Sequence, residues 1–144
     1  MTFAYFTDRD LGRRFPQSLR DAGLVVHAHD EHFGPATPDA EWIRAVSHEG
    51  WVVLTHDRRI QYKPNERRAV ALARISLLVL VGKATPVELA RNFVHTLPRI
   101  EAFLEAHRPP LIAGVYRPSQ AELRRRPDAP GRIELRWPTP GRRA

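Results

Sequence analysis

The stretch Trp51-Val52-Val53-Leu54-Thr55-His56-Asp57 decides the fold. Trp51–Thr55 is short, continuous, apolar and β-branched, the composition of a strand buried on both faces. It runs straight into His56 and Asp57, so an acid stands at the strand's carboxyl end. The pattern occurs once before: Phe3–Thr7 is apolar and aromatic and is followed at once by Asp8. Leu24–His29 and Ile75–Val81 are two further apolar runs. The last is apolar throughout, as a central parallel strand should be.

Helical segments separate these strands. Leu11, Phe15, Leu19 and Ala22 have helical spacing, and Gly23 is placed to end the helix. Residues 30–37 read as a loop. Thr37 and Pro38 open a second helix, with a hydroxyl N-cap and proline at the first helical position, running to Glu49 before Gly50. Glu66–Arg74 reads as a third. Thr85-Pro86-Val87-Glu88 is a capping box opening a long helix whose apolar face is Leu89, Phe93, Leu97, Ile100 and Leu104. Pro98 is expected to kink or split it. Pro109–Tyr116 reads as an edge strand. From Pro118 the chain is rich in proline and arginine; Arg132–Trp137 is a candidate strand, and most of the rest is expected to be extended or disordered. The reading is thus a domain over residues 1–116 and a basic tail over 117–144. Alternating strands and helices at short spacing predict right-handed crossovers and an α/β fold, a three-layer α/β/α sandwich around a small, mainly parallel sheet. Ligands of such folds lie outside the carboxyl ends of the strands.

With 144 residues the chain makes one domain with one sizeable core. It has no cysteine, which excludes disulfides and thiolate metal sites and fits a reducing cytoplasm. No apolar run approaches the roughly 18 residues of a membrane span, and the first ten residues lack a signal pattern; the expected location is the cytoplasm. The formal charge is +7. From Arg117 to Ala144 eight arginines stand against Glu122, Asp128 and Glu134, an excess of +5 that leaves +2 for the first 116 residues. Such an excess suits a polyanionic partner.

Asp8 and Asp57 both project from strand ends at one rim of the sheet. Asp39 lies in the first turn of the helix after the second strand, and the topology brings it to the same rim. Each acid also has a purely structural role available: Asp8 as a cap, Asp57 as a turn anchor with Arg58, Asp39 as a partner of the helix dipole. Three carboxylates held together repel one another unless a cation or a proton intervenes. An oxygen-only donor set suits Mg²⁺ or Mn²⁺, which can hold phosphate oxygens and activate water. Two histidines, His27 and His29, share a strand face at i, i+2, and with His32 they suggest zinc, but no further ligand set accompanies them. Trp42 and Trp51 read as core; Trp137, in the basic tail, reads as a surface for base stacking or a partner.

Phe6-Thr7-Asp8-Arg9-Asp10-Leu11, Pro38-Asp39-Ala40-Glu41-Trp42-Ile43 and Val52-Val53-Leu54-Thr55-His56-Asp57, in this order and on these elements, resemble the PIN-like nucleases. The short VapC toxin subgroup of bacterial toxin–antitoxin pairs is the most similar. The resemblance spans about residues 3 to 116. It implies a Mg²⁺- or Mn²⁺-dependent endoribonuclease, inhibited by a cognate antitoxin, with Asp8, Asp39 and Asp57 as the metal-binding catalytic acids. A homodimer through the helix opened by Pro86 is consistent with the family. Relatives often carry a second acid and an aromatic residue after T-H-D, where this chain has Arg59 and Ile60. Asp10 and Glu41 are the substitutes, though neither offset sets its carboxylate cleanly beside its neighbour. Thr55 is placed to bond an acid or a metal-bound water, and His56 to assist proton transfer. Arg9, Arg13, Arg14, Arg58, Arg59 and Lys63 are the candidates for binding RNA phosphates. Two alternatives stand beside this reading: a non-catalytic nucleic-acid- or protein-binding module on the same fold, and an RNA-processing or repair nuclease that is not a toxin.

Overall fold

In the computed structural model, which describes residues 3–138 apart from the side chains of Ile60 and Gln61, the chain runs β1 (Ala4–Thr7), α1 (Arg14–Asp21), β2 (Val25–Ala28), α2 (His29–His32), α3 (Asp39–Ser47), β3 (Val52–Thr55), α4 (Pro64–Ala73), β4 (Ser76–Val81), α5 (Pro86–Ala106), β5 (Leu111–Tyr116), α6 (Gln120–Arg125) and β6 (Arg132–Trp137). Two 3-10 turns, Arg9–Leu11 and Arg58–Gln61, lie just beyond β1 and β3. The strands form one sheet in the order β2-β1-β3-β4-β5-β6. The first five are parallel and β6 is antiparallel to β5. From β1 the chain moves outward to β2, then returns across β1 to β3. The β1/β3 boundary is therefore the point where the winding direction reverses, the place where open α/β sheets bind ligands.

Alternation along the strands builds two apolar layers. On one side Tyr5, Leu54, Leu78 and Val115 pack with Phe15 and Leu19 of α1 and Phe93 and Ile100 of α5. On the other, Phe6, Val53, Leu77 and Ile112 pack with Trp42, Ile43 and Val46 of α3 and Val70 of α4. Phe6, Phe15, Trp42 and Phe93 are fully buried, each contributing roughly 1.5–3 kcal/mol over its exposed state. The result is the expected three-layer sandwich.

Several local expectations need correction. Thr37 does not cap α3; Pro38 is the N-cap and makes no side-chain cap bond. Residues 29–32, read as strand end and loop, form the turn α2. β2 is an edge strand, and β5, read as an edge, is interior. Pro98 does not split α5, which continues for 21 residues from the predicted Thr85/Glu88 capping box; Pro98 is on its exposed face.

The segment after Pro118, expected to be mostly extended or disordered, is folded over its described part. Ser119 caps α6. α5 then holds the following loop. The Thr96 hydroxyl accepts from the Gly131 N–H at 2.9 Å, and Arg99 donates to the Gly131 carbonyl at 2.7 Å. A Cβ at Gly131 would collide with the Tyr116 carbonyl, so the chain passes there as glycine only. β6 then turns Ile133, Leu135 and Trp137 inward against the two cores. Trp137 is consequently half-buried packing rather than a free stacking surface. Residues 139–144 lie outside the described residues.

Candidate active site

The carboxyl ends of β1 and β3 are tied together at the reversal point. The Asp8 N–H donates to the Leu54 carbonyl at 2.9 Å. Thr55, fully buried, is the hub. Its hydroxyl lies 2.9 Å from Asp8 Oδ2 and 3.4 Å from Asp10 Oδ2, and it accepts from the Asp57 N–H at 3.2 Å. The His56 N–H donates to Asp10 Oδ2 at 3.1 Å. One threonine side chain thus fixes Asp8, Asp10 and the backbone of Asp57 in a single cluster.

Asp8 is buried, 7% exposed. Its Oδ1 accepts from the Arg9 N–H at 2.7 Å, so it also caps the first 3-10 turn. Burial pushes its carboxyl above the usual range, against the Thr55 and Arg9 hydrogen bonds that favour the anion, and the Asp39 charge adds to the rise. Asp10 is exposed as a residue, but its carboxyl is crowded by Thr55 and His56. Burial of the carboxyl group, followed by the Asp8 charge, pushes it up to about 6, against the His56 N–H and ring, which favour the anion. The sequence reading ranked Asp10 second because two residues of ordinary helix or strand do not set acids side by side. The tight 3-10 turn at Arg9–Leu11 does.

Asp57 is different. Its Oδ1 accepts from the Arg59 N–H at 3.0 Å and Nε at 3.1 Å, and Lys63 Nζ lies 3.8 Å from Oδ2. Partial burial raises its carboxyl, but these contacts outweigh burial and hold it below the usual range. Its turn partner is Arg59 rather than Arg58. Asp39 is the first residue of α3, and its Oδ1 accepts from Trp42 Nε1 at 3.0 Å. Its charge acts on Asp8, but no hydrogen bond joins it to Asp8, Asp10 or Asp57 among the described residues. Glu41 is exposed, with no hydrogen bond to these acids among the described residues. The His56 ring is held away, its Nε2 2.8 Å from the Gly82 carbonyl.

Among the predicted phosphate binders, Arg9, Arg14 and Arg58 are exposed and make no ion pair among the described residues. Arg13 lies 3.7 Å from Asp30, and Arg59 and Lys63 hold Asp57. The histidines do not form the suspected group: His27 stacks on Trp51 at 3.8 Å between centroids, whereas His29 is buried among Phe6, Phe33 and Trp42. Burial depresses the His29 ring's basicity, opposed by the Asp8 charge. A cavity of about 530 Å³ between α3 and α4, lined by Arg44, His48, Arg68 and Leu72 among others, does not reach the acids.

Two neighbouring carboxylates, Asp8 and Asp10, have no Lys or Arg ion pair among the described residues, and burial raises both. This donor set fits a hard divalent cation, which would relieve both costs. No three His, Asp or Glu side chains among the described residues already converge as ligands.

An open α/β sheet with carboxylates gathered at its reversal point defines a class: sandwich folds that carry an acidic site at the carboxyl rim. A family model described as PIN like domain matches residues 3–82, more than half of the chain and all of β1 to β4. The chain belongs to that family. It is also 37% identical over 70 residues to the protein named "Putative ribonuclease VapC45" of Mycobacterium tuberculosis, an alignment covering 45% of this chain and 51% of that protein. The match thus spans about half the length of the curated relative. No solved structure matches the chain.

Proposed function

We propose that the protein is a divalent-cation-dependent endoribonuclease and the toxin of a two-component toxin–antitoxin pair. The observation that carries this reading is the Asp8–Thr55–Asp10 cluster at the β1/β3 reversal point. Family membership and the relative's printed name support the same chemistry. Asp8, Asp10 and Asp39 would hold the cation, with Asp57 joining if its carboxyl exchanges Arg59 for the cation. A bound Mg²⁺ or Mn²⁺ would supply Lewis acidity toward a phosphodiester and make a bound water more acidic. Thr55 fixes the direction of the Asp8 carboxylate. Arg9, Arg14 and Arg58, exposed beside the cluster, position the RNA backbone. No helix among the described residues is long and apolar enough to cross a membrane, which accords with an RNA substrate and a protein antitoxin in the cytoplasm.

The test is single-turnover cleavage of cellular RNA in Mg²⁺ or Mn²⁺ by the full chain, beside Asp8→Asn, Asp10→Asn and Asp57→Asn. Cleavage that needs the cation and fails in Asp8→Asn supports the reading. Tight RNA binding with no cleavage in any divalent cation would replace it with a non-catalytic binding module.

A further inference from the structure

We propose that Arg132 and Arg136, gathered on the ring of Tyr116, form a phosphate clamp for the RNA strand that leaves the acidic cluster. The inference rests on the function proposed above and says where its substrate runs. Strand register places the clamp. Thr55, the hub of the cluster, is opposite Val79, Val79 is opposite Gly114, and Gly114 is opposite Glu134. Two residues on, Val81 is opposite Tyr116 and Tyr116 is opposite Arg132. Paired residues share a face and successive residues alternate, so Thr55, Tyr116 and Arg132 stand on the same face of the sheet. Three strand spacings, about 14 Å in all, separate β3 from β6. That distance is about four nucleotides at a stacked spacing of roughly 3.4 Å.

Local features assemble the clamp. A Cβ at Gly114 would lie 2.9 Å from Tyr116 Cε1, so glycine lets the ring lie down on the strand. The β5–β6 register shifts at Ile112/Ala113, a bulge of the kind that re-aims side chains. Leu135 packs with the α1/α5 layer and Trp137 with the α3/α4 layer, and Arg136 between them is the extra residue. Arg132 and Arg136 both reach the Tyr116 ring, their guanidinium carbons 4.3 Å and 5.2 Å from its centre. Both are exposed. Glu134 pairs with Arg132 at 3.2 Å, whereas Arg136 has no ion pair among the described residues. Stacking on a ring fixes the guanidinium plane and leaves its N–H edge to solvent, the fork that phosphate oxygens accept. Lys83, exposed just beyond β4, stands between this patch and the acids. An acidic protein segment would need apolar anchors. The exposed large apolar residues, Val25, Tyr62, Leu72 and Val87, belong to β2, the turn before α4, α4 and α5, and none lies on β5 or β6. A solvated polyanion is the occupant that this surface fits.

The experiment uses the full chain, a labelled single-stranded RNA of about 12 nucleotides, and the double variant Arg132→Gln/Arg136→Gln. A second double variant, Arg74→Gln/Arg108→Gln, makes the same charge change at the opposite rim, just before β4 and β5, and controls for net charge. Binding is read by fluorescence anisotropy in EDTA, so it needs neither cation nor cleavage; KM and kcat are read from cleavage in Mn²⁺. The clamp variant should bind about tenfold more weakly, and its slope of log affinity against log salt should shrink by about 1.4, two phosphates at about 0.7 each. In cleavage the loss should fall on KM rather than kcat. The control should bind within about twofold of wild type. Wild-type affinity in the clamp variant, or equal losses in both doubles, would overturn the proposal. So would a poly-glutamate chain of the same length that competes as well as unlabelled RNA, which would assign the patch to an acidic protein. Wild type that binds the RNA through these arginines but cleaves it in no divalent cation overturns the nuclease reading and leaves the clamp standing. Cation-dependent cleavage with KM unmoved in the clamp variant does the reverse.

Discussion

Asp8 and Asp57 leave neighbouring strands at the same rim and meet opposite surroundings. Asp8 is buried, bonded to a hydroxyl and a backbone N–H, and crowded by other acids. Asp57 is held by Arg59 and Lys63. Burial raises the first carboxyl, whereas cations hold the second down. A short stretch of chain makes the difference. Asp8 is followed by Arg9-Asp10, whose turn returns a second acid to it; Asp57 is followed by Arg58-Arg59, whose turn returns a guanidinium. An external cation therefore gains most at Asp8, and must displace Arg59 to gain anything at Asp57.

The largest effect expected is on catalysis. Asp8→Asn should lower single-turnover cleavage in Mn²⁺ by about 10³-fold, roughly 4 kcal/mol of transition-state stabilisation. Asp57→Asn should lose no more than about tenfold; equal losses would erase the contrast. Asp8→Asn should also raise the thermal midpoint of the metal-free protein, because it removes a buried charge.

Thr55→Val keeps the shape of the hub and removes its hydroxyl. Cleavage should fall by about tenfold, and urea unfolding should show about 1–3 kcal/mol of lost stability, the usual cost of unpairing buried polar groups. Full activity in this variant would mean that Asp8 needs no fixed direction. A smaller effect, of the opposite sign, is expected from Arg59→Ala: freeing Asp57 should tighten Mn²⁺ binding a few-fold by isothermal titration, in the range of an exposed ion pair. An unchanged titration would exclude Asp57 from the cation's site.

The smallest effect is in the pH dependence of stability. The folded Asp10 carboxyl, at about 6, lies above its usual value of 3.8. Its protonated form is favoured by folding, so its contribution is present at low pH and lost as pH rises through about 6. Asp57 has the reverse sign: its contribution is present above the usual carboxylate range and fades as pH falls through its depressed value. From about pH 7 to about pH 5 the metal-free thermal midpoint of wild type should therefore gain on that of Asp10→Asn, while the depressed basicity of His27 and His29 acts in the opposite direction in both proteins. Identical slopes would remove the crowding assigned to Asp10.

What the sequence revealed follows from the range over which each signal acts. Trp51–Thr55 and the Thr85/Glu88 box are local signals, and they form as read. The meeting of Asp10 with Asp8 depends on a three-residue turn whose winding no side-chain pattern announces. His29 is paired with His27 on one strand face in the sequence because the strand reads as one residue longer than β2 is. The strand's place at the edge of the sheet was also not visible from its own composition. The β5–β6 pairing was the hardest, since it joins segments across a helix and a glycine passage. Ile133, Leu135 and Trp137 did alternate, but their partners lie in other parts of the chain.

The bond between Thr55 and Asp8 crosses 47 residues of sequence. Everything from α1 to α3 must be laid down before the two strand ends can meet, and closing such a loop is costly until the contacts inside it form. The acidic cluster is therefore a property of the assembled sheet, and no short fragment carries it. A nascent or nicked chain that has β1 but has not yet paired it with β3 holds its aspartates apart. It has neither their mutual repulsion nor their pull on a cation, so hydrolytic competence would arrive only with the completed fold.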